Sequence, residues 1–282
     1  MIETEEFELW RDRGDDSALI VRGEARLPSN PKGAVVICHG FKGFARFSFF
    51  PYVATQLAEA GYNAITFDFS GSGIGKDREN FTNPDAFTHN TYRQELQDLE
   101  EVVAEARAHK WIEDGYGLFG HSRGGGVAIL HACRDRNVKT LVTWAAISTA
   151  NRWTHETVAQ WRETGFIDIV NARTKQTIPL STDLLHEVEQ YGETMLNIPY
   201  SASCIKVPWL ILHGAEDETV PASEAERLAV LSDGTSKLHI LEGTNHSFGG
   251  KHPLEEITPT LESVTRETVE FFAANLMPKA AV

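Results

Sequence analysis

The sequence predicts an α/β fold: a doubly wound, mostly parallel sheet with helices on both faces. Short apolar runs recur along the 282 residues, each ends in a loop that contains glycine, and helical patterns lie between them. Runs that are apolar at nearly every position are typical of parallel strands buried on both faces. Strands that alternate with helices predict such a sheet, with ligands bound at the carboxyl ends of the strands.

Each element follows from its local pattern. Two segments near the start, FELWR (7–11) and ALIVRGEARL (18–27), predict a pair of antiparallel strands. The parallel strands are expected in six apolar runs, GAVVIC (33–38), YNAITFDF (62–69), GYGLFG (115–120), KTLVTWAA (139–146), VPWLILHG (207–214) and SKLHILEG (236–243). Helices are expected where apolar residues recur about every 3.6 positions, at 48–61, 91–110, 125–135 and 267–276.

One segment, 148–204, breaks the alternation. It lies between two predicted strands and has room for more than one helix. It carries six large apolar or aromatic side chains, Trp153, Trp161, Phe166, Tyr191, Met195 and Tyr200. We expect a single domain over 1–282, with 148–204 as a small helical cap insertion over the strand ends. The aromatic side chains pack the core of the insertion itself, line a pocket beneath it, or do both.

Composition narrows the class of protein. The net charge of −14 argues against nucleic acid as a partner, because an acidic surface repels phosphate backbones. No apolar run approaches the roughly 20 residues of a spanning helix, and the acidic start has no apolar signal segment, so we expect a cytoplasmic protein without membrane insertion. The three cysteines are far apart and odd in number, which predicts reduced thiols and no zinc pair. The sequence does not indicate an oligomeric state.

The glycine-rich stretch SGSGIGKD (70–77) matches neither phosphate-binding pattern. A Walker A loop requires Ser or Thr after Gly75-Lys76, where this chain has Asp77. A dinucleotide fingerprint requires a third glycine where Lys76 stands. The stretch therefore predicts a tight loop after a strand, and we expect no cofactor.

A second glycine motif, GHSRG (120–124), matches G-x-S-x-G and lies between a predicted strand and a predicted helix. The serine of this motif lies in a sharp turn, where a side chain two positions to either side would collide with neighbouring backbone. The turn presents Ser122 at a helix N-terminus, whose dipole favours developing negative charge. We interpret Ser122 as a nucleophile; a purely structural glycine turn is the alternative.

A serine nucleophile requires a base, and the base requires an orienting carboxylate. In this fold the order along the chain is serine, acid, histidine, with the last two after later strands. The loop after the fifth apolar run contains three acids, Glu216, Asp217 and Glu218. His246 follows the sixth run in a small polar loop and is the candidate base, with His252 as the rival.

The other histidines are assigned structural roles. His239 lies inside a predicted strand, whereas His39 and His213 end strands directly before glycines and are expected to be strand-end hydrogen bonders. No histidine pairs at metal-ligand spacing with a second His or Cys, so we expect no metal.

A tetrahedral intermediate also requires backbone donors for its oxyanion. One donor is expected to be the N–H of Arg123, directly after the serine, and the other the N–H of Phe41, with Lys42 as the alternative. The Arg123 side chain has two possible roles, a bidentate contact to a substrate carboxylate or a salt bridge to a structural acid. The side chains of Lys42 and Arg46 leave the same choice open.

Together these residues resemble the α/β-hydrolase family. The resemblance rests on five motifs that span nearly the whole chain in the order of the family: HGFKG (39–43), FDFSGSG (67–73), GHSRGG (120–125), HGAEDETVP (213–221) and GTNHSF (243–248). The compact HGF loop and short cap are similar to dienelactone-hydrolase-like and cinnamoyl-esterase-like serine esterases. The resemblance implies Ser122 as nucleophile, Asp217 as acid and His246 as base. Dienelactone hydrolases commonly have cysteine, and dehalogenases aspartate, where this chain has serine.

The sequence therefore predicts a serine hydrolase that cleaves small carboxylic esters through an acyl-enzyme on Ser122. A lactonase, thioesterase, peptidase or amidase has the same catalytic groups and remains an alternative. A non-catalytic binding protein with a hydrolase fold is an alternative from another class. The physiological substrate depends on how 148–204 folds over the site, which the sequence does not reveal.

Overall fold

A computed structural model describes residues 1–12, 18–170 and 175–276. The strands are β1 (Ile2–Asp12), β2 (Ala18–Pro28), β3 (Gly33–Cys38), β4 (Tyr62–Asp68), β5 (Tyr116–His121), β6 (Val138–Trp144), β7 (Phe166–Val170), β8 (Thr177–Ser181), β9 (Trp209–Gly214) and β10 (Ser236–Leu241). The helices are α1 (Phe50–Glu59), α2 (Pro84–Thr88), α3 (Tyr92–Ala108), α4 (Arg123–Ala132), α5 (His155–Thr164), α6 (Thr182–Tyr191), α7 (Ile198–Cys204), α8 (Ala222–Leu231) and α9 (Pro259–Asn275).

The main sheet has the order β1-β2-β4-β3-β5-β6-β9-β10. β2 pairs antiparallel with β1 and β4, and the other neighbours pair in parallel. This confirms the predicted fold class. The chain runs from β3 outward to β4 and then back past β3 to β5, so the order reverses between β3 and β5. The helices that follow these two strands, α1 and α4, pack on opposite faces of the sheet, and open α/β sheets bind ligands at the carboxyl ends of strands where this happens.

The core has two apolar layers, one on each face of the sheet. In β3, Val36 packs into one layer and Val35 and Ile37 into the other; in β5, Leu118 and Phe119 divide in the same way. All five side chains are essentially inaccessible to water. Burial of each contributes about 1.5–3 kcal/mol. Central strands that are covered on both faces explain why these runs are apolar at every position.

Helix boundaries depend on caps that the apolar pattern does not show. The last helix, expected at 267–276, begins eight residues earlier, at Pro259. Thr258 precedes it and accepts a hydrogen bond from the Leu261 N–H, and proline suits the first turn, where its missing N–H costs nothing. α4 likewise begins at Arg123, directly after Ser122, two residues before its expected start.

The segment 148–204, which we expected to be a cap insertion, contains a feature beyond the expected helices. In addition to α5, α6 and α7, the strands β7 and β8 form an antiparallel pair. Gly165 ends α5 in a left-handed conformation with φ 80°, which turns the chain into β7. Trp161 is buried, donates its indole N–H to Leu180 and packs edge-on against Trp153. These tryptophans therefore pack the core of this segment, which is one of the two roles expected for its aromatic side chains.

Cys38, Cys133 and Cys204 are free thiols. Within the described residues, no helix has both the length and the apolar character needed to span a bilayer.

Candidate active site

Ser122 lies at the tip of a sharp turn between β5 and α4. Its backbone has φ 56° and ψ −122°, a conformation that residues with a side chain rarely adopt. The turn is held by its neighbours, because the Ser122 N–H donates to the Trp144 carbonyl at 2.9 Å and its carbonyl accepts from Gly125 and Gly126. A strained residue that the surrounding structure fixes in this way is typical of functional sites.

The two flanking glycines are required by close backbone packing. A Cβ atom on Gly120 would lie 2.4 Å from the Gly124 carbonyl oxygen, and one on Gly124 would lie 2.2 Å from the His39 carbonyl oxygen. The neighbours are backbone atoms, which cannot move aside as a flexible side chain can. The steric reason for the G-x-S-x-G spacing is therefore present at both glycines.

We expect Gly124→Ala to lower the free energy of unfolding by about 3 kcal/mol, because the new methyl group overlaps the backbone of the loop after β3. Helix propensity alone favours alanine within α4 by roughly 1 kcal/mol, so a loss of stability reports the collision. Urea denaturation measures it. Gly33→Ala is the matched control, since the nearest atom to its Cβ would be 3.6 Å away. Equal stability of the two variants would contradict this packing.

The structure brings Ser122, His246 and Asp217 together in one chain of hydrogen bonds. His246 Nε2 lies 3.0 Å from the Ser122 hydroxyl oxygen, and its Nδ1 lies 2.7 Å from Asp217 Oδ2. The carboxylate accepts from Nδ1–H, which leaves Nε2 unprotonated and able to accept the serine proton. The three groups thus have the geometry of a nucleophile, a base and an orienting acid.

Burial distinguishes Asp217 from the two acids beside it. Glu216 and Glu218 are exposed, whereas Asp217 is buried and its Oδ1 accepts from the N–H groups of Thr219 at 2.8 Å and Val220 at 2.9 Å. Burial opposes ionisation, but the hydrogen bonds that the carboxylate accepts outweigh it and hold the pKa of Asp217 well below its usual range. Asp217 is therefore an ionised acceptor at neutral pH.

The rival candidate base, His252, contacts Phe44, Phe47 and Ser48. Its ring stacks on Phe47 and meets Phe44 edge-on, and its Nδ1 accepts a hydrogen bond from the Ser48 N–H at 3.0 Å. These contacts give His252 a structural role. Among the residues that the structure describes, no three His, Cys, Asp or Glu side chains are grouped so that they could hold a metal ion.

Three further histidines at strand ends hold the loops of the site. His39 Nδ1 donates to the Gly40 carbonyl at 2.8 Å, and its Nε2 accepts from the backbone N–H that follows β4. His213 Nε2 donates to the Val220 carbonyl at 2.8 Å, across the loop that carries Asp217. These two contacts are the expected strand-end hydrogen bonds. His121, to which the sequence assigned no role, contacts the loop of the candidate base.

Two backbone donors are available beside Ser122. Gly40 packs so closely on the serine that a Cβ atom there would lie 2.9 Å from Ser122 Cβ, which places the next residue, Phe41, at the nucleophile. Within the described residues, neither the Phe41 N–H nor the Arg123 N–H donates to a protein acceptor. Two such unpaired donors on either side of a serine can stabilise negative charge on a bound carbonyl oxygen.

The Arg123 side chain is engaged within the protein. Its guanidinium donates to Glu95 at 3.0 Å and to Asn90 at 2.5 Å, and it lies over the rings of Tyr92 and Phe41. All five N–H donors of arginine point outward from one plane, and here the buried partners fix that plane. This arrangement is the structural salt bridge, one of the two roles considered for Arg123.

The other two cationic side chains near the loop after β3, those of Lys42 and Arg46, differ in exposure and in their ion pairs. Lys42 is exposed, with a left-handed backbone at φ 63°. Arg46 pairs with Glu24 at 2.9 Å and with Glu6 at 2.6 Å, so its charge is used in an ion network on the β2 side. Of the two, only Arg46 forms an ion pair with an acid of the part of the chain that the structure describes.

The sheet order and the strained serine after β5 define an α/β-hydrolase. The sequence model of the family described as "Serine aminopeptidase, S33" matches residues 29–197, which is more than half of the chain. The chain belongs to this family. An uncharacterized 31.7 kDa protein of Escherichia coli, from the traX-finO intergenic region, is 24% identical over 237 residues, which cover 73% of this chain and 80% of that protein.

Solved structures share the fold. The chain is similar to Est1E from Butyrivibrio proteoclasticus, in a structure with ferulic acid bound, with a TM-score of 0.73, 20% identity, and coverage of 95% of this chain and 99% of that one. It is also similar to a putative hydrolase from Agrobacterium vitis S4, with a TM-score of 0.70, 19% identity, and coverage of 96% and 98%. At these identities the likeness establishes the α/β-hydrolase fold.

Proposed function

We propose that the protein is a serine hydrolase that cleaves carboxylic esters through an acyl-enzyme on Ser122. The observation that carries the proposal is the continuous contact from the Ser122 hydroxyl through His246 to the buried Asp217. Membership of a hydrolase family and the fold shared with an esterase support it.

In the acylation step, the Ser122 oxygen attacks the ester carbonyl carbon while His246 Nε2 takes the hydroxyl proton. The carbonyl π electrons move onto its oxygen, which becomes an oxyanion. When the tetrahedral intermediate collapses, the bond to the alcohol oxygen breaks and His246 returns the proton to that oxygen. The alcohol leaves, and the acyl group remains on Ser122.

The second step repeats the chemistry with water in place of the serine. His246 takes a proton from water, the hydroxide oxygen bonds to the acyl carbon, and the bond to the Ser122 oxygen breaks as the serine recovers its proton. The carboxylic acid is released. Asp217 remains ionised throughout, fixes the tautomer of His246 and stabilises its cation.

The N–H groups of Phe41 and Arg123 are the proposed oxyanion donors. Neither N–H donates to a protein acceptor within the described residues, and a fixed backbone dipole requires no reorganisation when charge develops. Removal of one such donor typically costs about 100-fold to 1000-fold in turnover. Because both donors are backbone groups, the side chains at these two positions are not needed to stabilise the oxyanion.

Two substrate classes have support from the comparisons. Ferulic acid, the ligand bound to Est1E, is an aromatic carboxylic acid, which favours esters of aromatic acids as substrates. The name of the family favours peptide substrates with a free amino end as a second candidate. The triad serves either reaction, since an amide differs mainly in the poorer leaving group that His246 must protonate.

A substrate panel separates these candidates. Purified protein is assayed with p-nitrophenyl acetate, butyrate and octanoate, methyl ferulate, a γ-lactone, a thioester and aminoacyl p-nitroanilides. We expect the highest kcat/KM for an ester. Turnover of the anilides with no turnover of any ester would overturn the ester proposal in favour of the peptidase. No turnover of any member of the panel would favour the non-catalytic binding protein.

A further inference from the structure

We propose that His121 is a positioning residue that holds the candidate base, His246, at the nucleophile through a hydrogen bond to its backbone carbonyl. The inference rests on the proposed function, since it assigns His246 the role of base. His121 precedes Ser122 at the end of β5, so one short segment of chain carries both the nucleophile and the group that holds the base.

The first observation is the contact itself. His121 Nε2 lies 3.0 Å from the His246 carbonyl oxygen, and the two imidazole rings are 4.7 Å apart between centroids. The residues are 125 positions apart in sequence, so this bond joins the central strand β5 to the loop after β10. The nucleophile and the base are thereby held together by a bond that does not involve the reacting atoms.

The second observation is that His121 is itself immobilised. Its ring lies edge-on to Phe49 and Phe50, with centroids 5.2 and 5.9 Å away, and the residue is buried. A Cβ atom on Gly40 would lie 3.3 Å from His121 Nδ1, so the loop after β3 closes on the other side. A rigid side chain transmits its position to its partner, whereas a mobile one cannot.

The third observation concerns the local support of His246. The backbone around it is paired mainly within its own loop: Phe248 N–H donates to Asn245, and Gly250 N–H donates to Ser247. The Glu216 N–H donates to Thr244, which ties the start of the loop to the loop that carries Asp217. The bond from His121 is the contact that fixes the carbonyl of His246 directly to the central sheet.

The protonation state of His121 suits this role. A carbonyl oxygen only accepts, so Nε2 must carry the proton. Burial and the neighbouring His246 lower the pKa of His121 to about 3, and His213 acts in the same direction whereas Asp217 opposes it. His121 is therefore neutral wherever His246 is active as a base. It donates its hydrogen bond without placing a second positive charge beside the imidazolium that forms during turnover.

The test compares two substitutions at His121 on an ester substrate. His121→Phe keeps an aromatic ring but removes the donor, and we expect kcat to fall about 10-fold to 100-fold with little change in KM, because a small misplacement of a catalytic group has effects of this size. His121→Gln has an amide N–H that can reach the carbonyl, and we expect it to recover most of kcat. His131→Phe and His131→Gln are matched controls, since His131 is a buried histidine bonded to Tyr116.

Three results would overturn the inference: wild-type kcat in His121→Phe, an equal loss in His121→Gln, or an equal loss in both His131 variants. Thermal melting of each variant shows whether it is folded. A readout independent of turnover keeps this inference separate from the proposed function. Imidazole ¹⁵N NMR, assigned with His121→Gln, should show His121 with its proton on Nε2 and without titration from pH 5 to 9. A His121 signal with the proton on Nδ1 would contradict the bond even in an inactive protein.

Discussion

Ser122→Ala is expected to abolish ester hydrolysis, with a loss in kcat of about 10⁶-fold, because removal of a triad nucleophile leaves only binding and the oxyanion donors. Alanine removes the hydroxyl alone, so the fold and the hydrogen bond between His246 and Asp217 should remain. Stopped-flow or overnight assays with p-nitrophenyl butyrate measure the residual rate, and circular dichroism checks the fold.

A conservative control makes the Ser122 result specific. Ser148 also follows a central strand and is buried, but its backbone N–H bonds to Glu224, outside the triad. Ser148→Ala should retain turnover near that of the wild type. A folded Ser122→Ala protein that hydrolyses the ester as fast as the wild type would remove the serine mechanism altogether.

The second large effect is expected from Asp217→Asn, with a loss in kcat of about 10⁴-fold. The side-chain amide keeps the size of the carboxylate but can present an N–H to His246 Nδ1. The imidazole then adopts the wrong tautomer, with its proton on Nε2, and cannot accept the serine proton. Glu216→Gln and Glu218→Gln are the matched controls, and both should retain turnover because these side chains are exposed.

The same carboxyl group links stability to pH. The pKa of Asp217 is lower in the folded chain than the value of about 3.9 in an unfolded one. Ionised Asp217 therefore stabilises the fold at pH values above about 4, and the contribution is lost as the pH falls through its folded value. In Asp217→Asn this part of the acid dependence should be absent, which urea denaturation between pH 3 and 7 measures. An unchanged acid dependence would show that Asp217 has no depressed pKa.

The sequence predicts those parts of the candidate site that depend on local backbone geometry. The spacing of Gly120, Ser122 and Gly124 reports a sharp turn between a strand and a helix, and that turn is what the structure has. The central strands also follow from the sequence, because runs buried on both faces of a sheet must be apolar, although β6 and β10 each end two residues before the expected position. The positions of Asp217 and His246 after β9 and β10 follow from the order of strands in the fold.

Other features depend on contacts between distant parts of the chain. Three acids follow β9, and their sequence does not show which of them is buried. The partner of Arg123, Glu95, lies 28 residues away, and the partner of His121 lies 125 residues away. Both pairs form only when the sheet and its loops are assembled. The β7–β8 pair was missed for a different reason, since Pro179 stands in the middle of β8 and proline within a short run argues against a strand.

The proposed mechanism requires an acyl-enzyme on Ser122. The direct measurement mixes the protein with excess p-nitrophenyl acetate, quenches with acid in the first turnovers, and locates the added acetyl group by peptide mass spectrometry. We predict one acetyl group on the peptide that contains Ser122, none in Ser122→Ala, and the same site for a fluorophosphonate probe. An acetyl group on another residue, or full turnover with no label on Ser122, would contradict it.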